Sequence, residues 1–331
     1  MKVVVTRTLA GGLGLLEADR SITDLWIAPP GFGPDRPELL ARIAGAHGIL
    51  AQFNEAVNAE FFDAAGPDLR IVANYAVGYD NMEVAEATRR GIWLSNTPDA
   101  VTPPTADMAW TLMLAVSRRL YEGEREVRCG AFSTRTGYDP THLLGGDFEG
   151  QTLLIVGAGR IGYATAMRSI GWGMTVLYVS RSPHPEFESA PFRARGVELD
   201  DGLRQADYVS IHTPLTPQTR HLIGRRELAL MKPTAYLINT ARGPVVDEAA
   251  LVEALRAGTI AGAGLDVYED EPRLAPGLAE LPNTCLMPHV GSASRSARPA
   301  MARMAQRNIL AALRGERPPN AINEVQRPRA S

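Results

Sequence analysis

Cysteine is nearly missing from this chain. Cys129 and Cys285 are the only two in 331 residues, too few for a disulfide framework and too far apart for metal-ligand spacing. No metal centre is therefore expected, and a reducing, cytoplasmic setting is. An excess of charge of one sign is missing too. The formal net charge is −3, which gives no electrostatic reason to bind nucleic acid or an anionic membrane. Long apolar runs are absent, all falling well short of the roughly 18 residues that a membrane helix needs. Met1-Lys2-Val3-Val4-Val5 passes straight into a strand-like run with no small-residue cleavage site, so no targeting segment is expected. Fixed-period repeats and low-complexity tracts are also lacking.

What is present is 45% apolar and 21% charged residues, the composition of ordinary globular domains. A chain of this length outgrows one compact core and fits two domains. Short β-branched runs alternate with helical patterns, the signature of an α/β fold with mostly parallel sheets. Strands are expected at Val3 to Val5, His47 to Phe53, Leu69 to Tyr75 and Ile92 to Ser95, with amphipathic stretches at Pro37 to Ala46 and Met82 to Arg90. The turn-rich Asn96-Thr97-Pro98-Asp99 closes this first unit. Thr102-Pro103-Pro104-Thr105 opens a helix, with prolines where a missing N–H costs little. Its apolar positions carry it past Leu120 in a single run. A glycine-rich stretch from Gly130 to Gly150 follows. A second alternation then places strands at Thr152 to Val156, Thr175 to Val179, Asp207 to His212, Ala235 to Asn239, Gly262 to Val267 and Thr284 to Met287. A last helix is expected from Arg295 to Leu313, ended by Gly315 and Pro318-Pro319.

The strand Thr152 to Val156 runs directly into Gly157-Ala158-Gly159-Arg160-Ile161-Gly162 and then a helical pattern. The glycines of such a GxGxxG serve a tight turn, close approach to a pyrophosphate, and tight packing of helix on strand. The helix start adds free N–H groups and partial positive charge for phosphates. Inside a strand–turn–helix–strand context the motif predicts a dinucleotide site. The next strand ends at Ser180-Arg181-Ser182. NAD-selective sites usually keep an acid here, roughly 20 residues past the glycines, for the ribose 2′-hydroxyl. Ser180 stands in its place, and Arg181 offers charge-assisted bonds to a 2′-phosphate. NADP is therefore expected, with NADPH preferred over NADH.

Three more loops follow expected strands, at the carboxyl ends where α/β folds bind ligands. They are Asn239-Thr240-Ala241-Arg242-Gly243, Asp266-Val267-Tyr268-Glu269-Asp270-Glu271-Pro272, and Pro288-His289-Val290-Gly291-Ser292. An arginine, a carboxylate and a histidine at three strand ends suit a 2-keto acid. The arginine binds its carboxylate and polarises the ketone, the histidine delivers a proton, and the acid keeps the histidine charged. Residue types alone leave Glu269, Asp270 and Glu271 open as that acid.

At these residues the chain resembles the D-isomer-specific 2-hydroxyacid dehydrogenases, and within them the glyoxylate/hydroxypyruvate reductase branch. The resemblance runs from about Ile49 to Val325. It is carried by Asn74-Tyr75-Ala76-Val77-Gly78-Tyr79-Asp80-Asn81, Asn96-Thr97-Pro98, the glycine fingerprint, Ala241-Arg242-Gly243, Leu265-Asp266-Val267, Glu271-Pro272 and Pro288-His289. It implies two doubly wound parallel-sheet domains. A Rossmann dinucleotide-binding domain, residues 100–288, is inserted into a flavodoxin-like substrate domain made of residues 1–99 and 289–331. It implies Arg242 as the substrate-binding arginine, Glu271 as the acid preceding the family's proline, and His289 as general acid/base. Val77 and Gly78 would hold the substrate carboxylate through their N–H groups. Asp266 and the Thr240-Ala241 backbone would face the nicotinamide, and Thr105 would lie near the cofactor phosphates. A homodimer is expected.

The chain departs from the branch in the loop before the fingerprint, where members often carry a tryptophan and this sequence has Phe132 and His142. Phe53, just past a strand end, is a second candidate for the pocket wall. His47, His184, His212 and His221 are read as packing or surface residues. Two rival functions fit the same fold. Formate oxidation in this superfamily pairs its histidine with glutamine, against Glu271, and phosphite oxidation uses a lysine absent from Asn74 to Gly78. A dinucleotide-sensing corepressor would need an appended interaction region, and only six residues follow Val325.

The cofactor reading is tested at Arg181. Arg181→Ala is expected to lower kcat/KM with NADPH by roughly 10- to 100-fold and to leave NADH nearly unchanged. Equal losses with both cofactors would remove Arg181 from the 2′-phosphate site.

Overall fold

The computed structural model describes residues 1–31 and 33–326. The chain divides into two compact units, one made of the residues up to Val101 and from Ser292 onward, the other of Thr102–Gly291. The expected boundaries thus move by two or three residues. The helix Thr102–Ser117 opens the second unit, and His289 belongs to that unit rather than to the terminal part of the first.

In the first unit, β1 (Lys2–Val5), β2 (Asp24–Ile27), β3 (Gly48–Ala51), β4 (Ile71–Asn74) and β5 (Trp93–Ser95) form one parallel sheet in the order β2-β1-β3-β4-β5. The order reverses between β1 and β3, and the carboxyl ends beside such a reversal form a crevice. Val4, Ile49, Ala51, Val72 and Leu94 point to one face and meet Leu39, Ile43, Phe61 and Phe62 from the helices Arg36–Ile43 and Ala59–Ala65. Asp35 and Asn58 cap those helices by accepting the N–H groups of Glu38 and Phe61. The helix Ala297–Leu313 covers β3 and β4. Tyr75 Oη donates to the carbonyl of Arg298 at 2.6 Å there.

The second unit holds seven parallel strands: β6 (Thr152–Val156), β7 (Thr175–Val179), β8 (Arg195–Gly196), β9 (Tyr208–Ile211), β10 (Tyr236–Asn239), β11 (Gly262–Leu265) and β12 (Thr284–Leu286). Their order is β12-β11-β10-β9-β6-β7-β8, the doubly wound arrangement with its reversal between β6 and β9. Strand β6 shows why the sheet needs helices on both faces. Leu154 and Val156 pack with Leu177, Val209, Ile211 and Leu237 on one side. Leu153 and Ile155 pack with Ala109, Trp110 and Met113 of the helix Thr102–Ser117 on the other. A parallel sheet buried on both sides reads as a near-continuous apolar run, as Thr152 to Val156 does.

The expected α/β fold with two parallel sheets is present. Strands β2 and β8 were not expected. Both are edge strands, and β8 is exposed at both residues. The long helix after Thr102 does not run past Leu120 in one piece. It ends at Ser117, Arg119 takes a left-handed backbone at φ +51, and a separate helix Leu120–Arg128 begins. Among the described residues no helix is long and apolar enough to cross a membrane.

Candidate active site

β12, β11 and β10 are adjacent and parallel, so the loops leaving them emerge along one edge of the sheet. Arg242 leaves β10, Asp266 and Glu271 leave β11, and His289 leaves β12. The three acids after β11 are then sorted by their partners. Glu269 accepts from His221 Nε2 at 2.6 Å and from Arg220 at 3.0 Å. Asp270 accepts from Arg273 at 2.7 Å. Glu271 Oε2 lies 2.8 Å from His289 Nδ1, and its Oε1 accepts the Tyr268 N–H at 3.0 Å. Geometry thus singles out Glu271 independently of the resemblance.

Burial pushes the Glu271 carboxyl up, but the hydrogen bond and charge of His289, the Tyr268 N–H and the charge of Arg242 bring it below its ordinary value. The carboxylate therefore stays ionised through the whole neutral range. The side chains of His289 and Glu271 are 24% and 28% exposed. The Nδ1 contact fixes the orientation of the imidazole ring relative to Glu271.

His289 sits at φ +54, a left-handed conformation uncommon for a residue with a Cβ. Asp266 holds it there. Its two carboxylate oxygens accept the N–H groups of Val290 at 2.8 Å and Gly291 at 2.6 Å. Burial raises the Asp266 carboxyl against those two bonds and the charge of His289. At 1% exposure, with its two oxygens bonded to Val290 and Gly291, Asp266 anchors the histidine turn. Tyr268 went unnoticed in the sequence. Its hydroxyl donates to the Met287 carbonyl at 2.8 Å, so one residue ties the β11 loop to Glu271 and to the chain before His289.

The Arg242 turn is fitted against the same loop. A Cβ added to Gly243 would fall 1.8 Å from the Tyr268 carbonyl carbon and 2.4 Å from the Glu269 nitrogen, so only glycine allows this approach. Asn239 secures the turn by accepting the Ala241 N–H at 3.0 Å and donating to the Arg242 carbonyl at 2.9 Å.

The fingerprint residues fit a dinucleotide. Gly157 sits at φ +106, and a Cβ there would lie 2.7 Å from the His212 backbone. At Gly162 a Cβ would meet the Gly157 carbonyl at 2.2 Å, whereas at Gly159 nothing lies within 4 Å. The tight turn and close packing are therefore filled by protein, and the middle position is open, as a bound pyrophosphate requires. The helix Arg160–Ser169 starts without a side-chain cap, and a helix start of this kind favours phosphate. The hydroxyls of Thr213 and Thr240, at the ends of β9 and β10, are buried without a hydrogen-bond partner. Thr213 had no signal in one dimension; it reaches the fingerprint only because β9 lies beside β6.

At the end of β7, Ser180, Arg181 and Ser182 are all exposed. Arg181 makes no hydrogen bond or ion pair with any described residue. Thr105 is buried in the helix Thr102–Ser117, with its Cγ2 3.7 Å from where a Gly291 Cβ would stand. This places it against the histidine turn. His212 Nε2 lies 2.9 Å from Ser210 Oγ, and burial pushes its imidazole down to about 3, so it is a neutral packing residue. His142 is tied to Glu126 at 2.7 Å and to Arg135.

In the first unit, the loop after β4 binds through its carbonyls. Asn96 Nδ2 donates to the Val77 carbonyl at 2.7 Å and Asn74 Nδ2 to that of Gly78 at 2.8 Å. The N–H groups of Val77 and Gly78 donate to no described residue, which leaves two successive amides for an anion. Phe53 follows β3 and is half-buried.

A doubly wound sheet with a glycine-rich turn at its first strand, and an Arg–Glu–His set at its far strand ends, defines a dinucleotide-dependent oxidoreductase. Comparison makes the class specific. The D-isomer-specific 2-hydroxyacid dehydrogenase NAD-binding domain matches residues 110–291. A glyoxylate reductase of Thermococcus kodakarensis is 47% identical over 328 residues, covering 98% of this chain and 96% of that one. The crystal structure of an NADPH-dependent glyoxylate/hydroxypyruvate reductase of Sinorhizobium meliloti, in complex with NADP and malonate, superimposes with a TM-score of 0.85 at 32% identity, covering 100% of this chain and 99% of that one. A glyoxylate reductase from Paecilomyes thermophila gives 0.85 at 33%, covering 97% and 98%. The chain belongs to the D-isomer-specific 2-hydroxyacid dehydrogenase family, and its cofactor is a nicotinamide dinucleotide.

Gly243→Ala tests the packing of the Arg242 turn. Pushing two loop backbones apart is expected to cost about 1–3 kcal/mol, read as a fall of several degrees in the Tm of the full chain, with kcat falling more than cofactor affinity. A variant with wild-type Tm and kcat would show that the two loops need not touch.

Proposed function

We propose that this protein reduces small 2-keto acids, glyoxylate and hydroxypyruvate, to the D-2-hydroxy acids with NADPH. The observation that carries the reading is the 2.8 Å pairing of His289 Nδ1 with a Glu271 carboxylate held ionised. It fits a proton donor whose Nε2 faces the ketone oxygen. When bound, the nicotinamide supplies the hydride. Arg242 binds the substrate carboxylate and polarises the carbonyl, and the successive Val77 and Gly78 N–H groups suit a carboxylate as well. Glu271 stabilises the imidazolium before the proton leaves, and Asp266 keeps the ring's backbone turned toward the site. The choice of NADPH rests on the exposed, unpaired Arg181 between two serines, with no acid at the end of β7.

Free cysteines at 129 and 285 suit the reducing cytoplasm. A homodimer is proposed through the helix Leu120–Arg128, which buries none of its residues, and the segment after it. Leu120, Val127, Phe132 and Leu144 are each more than half exposed, an apolar array that a second copy would cover. Sedimentation of the purified protein as a monomer at micromolar concentration would sink that assignment.

The pH profile tests the chemistry. Keto-acid reduction consumes a proton, so kcat/KM for glyoxylate and hydroxypyruvate should fall as pH rises, while hydroxy-acid oxidation should gain. Because Glu271 lies below its ordinary value, the pair should persist through the usual carboxylate range and fail only at more acidic pH. In Glu271→Gln the carboxylate that favours a protonated donor is gone, so the falling limb should move to lower pH. His289→Ala should cost about 10²–10⁴-fold in the chemical step with NADPH affinity kept. An unmoved limb in Glu271→Gln would refute the pairing.

A further inference from the structure

The loop that carries Glu271 is held at both ends by one buried carboxylate that no role so far accounts for. Glu248 is the first residue of the helix Glu248–Arg256. An acid in a first helical turn ordinarily complements the free N–H groups there, but Asp247 already does so by accepting the Ala250 N–H at 2.9 Å. Glu248 turns away from its own helix and is only 5% exposed. Its Oε1 accepts the Glu269 N–H at 3.1 Å and its Oε2 the Ala275 N–H at 2.9 Å. Glu269 and Ala275 flank the turn in which Glu271 lies. Across from this clamp, the Gly243 turn presses on the backbone of Tyr268 and Glu269, so the loop is confined from two sides.

A buried carboxylate is costly unless its oxygens are satisfied. Here the satisfaction comes wholly from the loop, and the loop in turn cannot move without stripping the carboxylate. We infer that Glu248 is a positioning residue for the proton-transfer pair: its carboxylate fixes both ends of the 269–275 loop and thereby sets the Glu271-to-His289 contact. The inference rests on the acid/base reading given above. Burial raises the Glu248 carboxyl, with Glu269 and Glu271 adding to the rise, consistent with a charge kept only by its loop partners. The charged and titratable groups around the pair are Arg242 after β10, Asp266 and Tyr268 after β11, and Glu248 from its helix.

The test uses the full chain and compares Glu248→Gln with Glu271→Gln. A glutamine keeps the shape but offers one acceptor where two N–H groups need one each, so one end of the loop is released. The expected result is a folded protein with unchanged NADPH affinity and a kcat about 10- to 100-fold lower. Its falling pH limb should move toward acid, in the same direction as in Glu271→Gln. A merely structural residue would lower Tm without moving that limb. If the limb moves in Glu271→Gln and stays in Glu248→Gln, the positioning role is overturned. If it stays in both, the acid/base reading fails and takes this inference with it. Should Glu248→Gln not fold, Glu248→Asp, which keeps the charge but is one methylene too short to span both N–H groups, replaces it in the same comparison.

Discussion

The turn that carries His289 depends on one buried carboxylate. Asp266 sits at the end of β11 with both oxygens bonded to the N–H groups of Val290 and Gly291. Those two bonds offset the cost of burying a charge and hold His289 in a left-handed backbone that its side chain disfavours. Without this anchor the chain leaving β12 could relax to an ordinary extended path, and the ring would no longer be aimed by its own backbone.

Around that anchor, neighbouring groups divide the work by charge. Three acids follow one another after β11, yet each finds a different partner: Glu269 with Arg220 and His221, Asp270 with Arg273, Glu271 with His289. Such sorting prevents like charges from competing for one imidazole, and it keeps Glu271 ionised where burial alone would favour its protonation. Tyr268 and Glu248 add neutral and charged fastenings to the same loop, so the geometry of the pair is set by several bonds from different strands and one helix. Rigidity of this kind suits proton transfer, where small displacements are expensive.

The dinucleotide edge works by the opposite means. Gly157 and Gly162 are filled to contact by backbone, while Gly159 faces open space and Arg181 has no partner among the described residues. Groups around the histidine turn are tied by internal bonds, whereas the dinucleotide edge keeps positions open. The amides of Val77 and Gly78 follow the second pattern, with their carbonyls occupied and their N–H groups spare.

Much of this was legible in one dimension. Strands β6 and β7 were expected with the bounds they have, because strands buried on both faces are written as unbroken apolar runs closed by turn residues. The fingerprint was legible because its three glycines answer local backbone demands. Arg242, Asp266 and His289 could be placed at strand ends from sequence. Edge strands β2 and β8 could not, since an edge needs little apolar content, and the break at Arg119 carries no proline or glycine to announce it. What only the tertiary structure decided are the partnerships: which of three acids meets His289, that Asp266 anchors the turn after it, that Tyr268 and Glu248 hold the loop, and that Thr213 lies beside Gly157. The reason is physical. A strand or a turn is specified by residues that neighbour one another in the chain, whereas a hydrogen bond between Glu248 and Ala275, or between Glu271 and His289, exists only once parallel strands have brought distant segments to the same edge of a sheet.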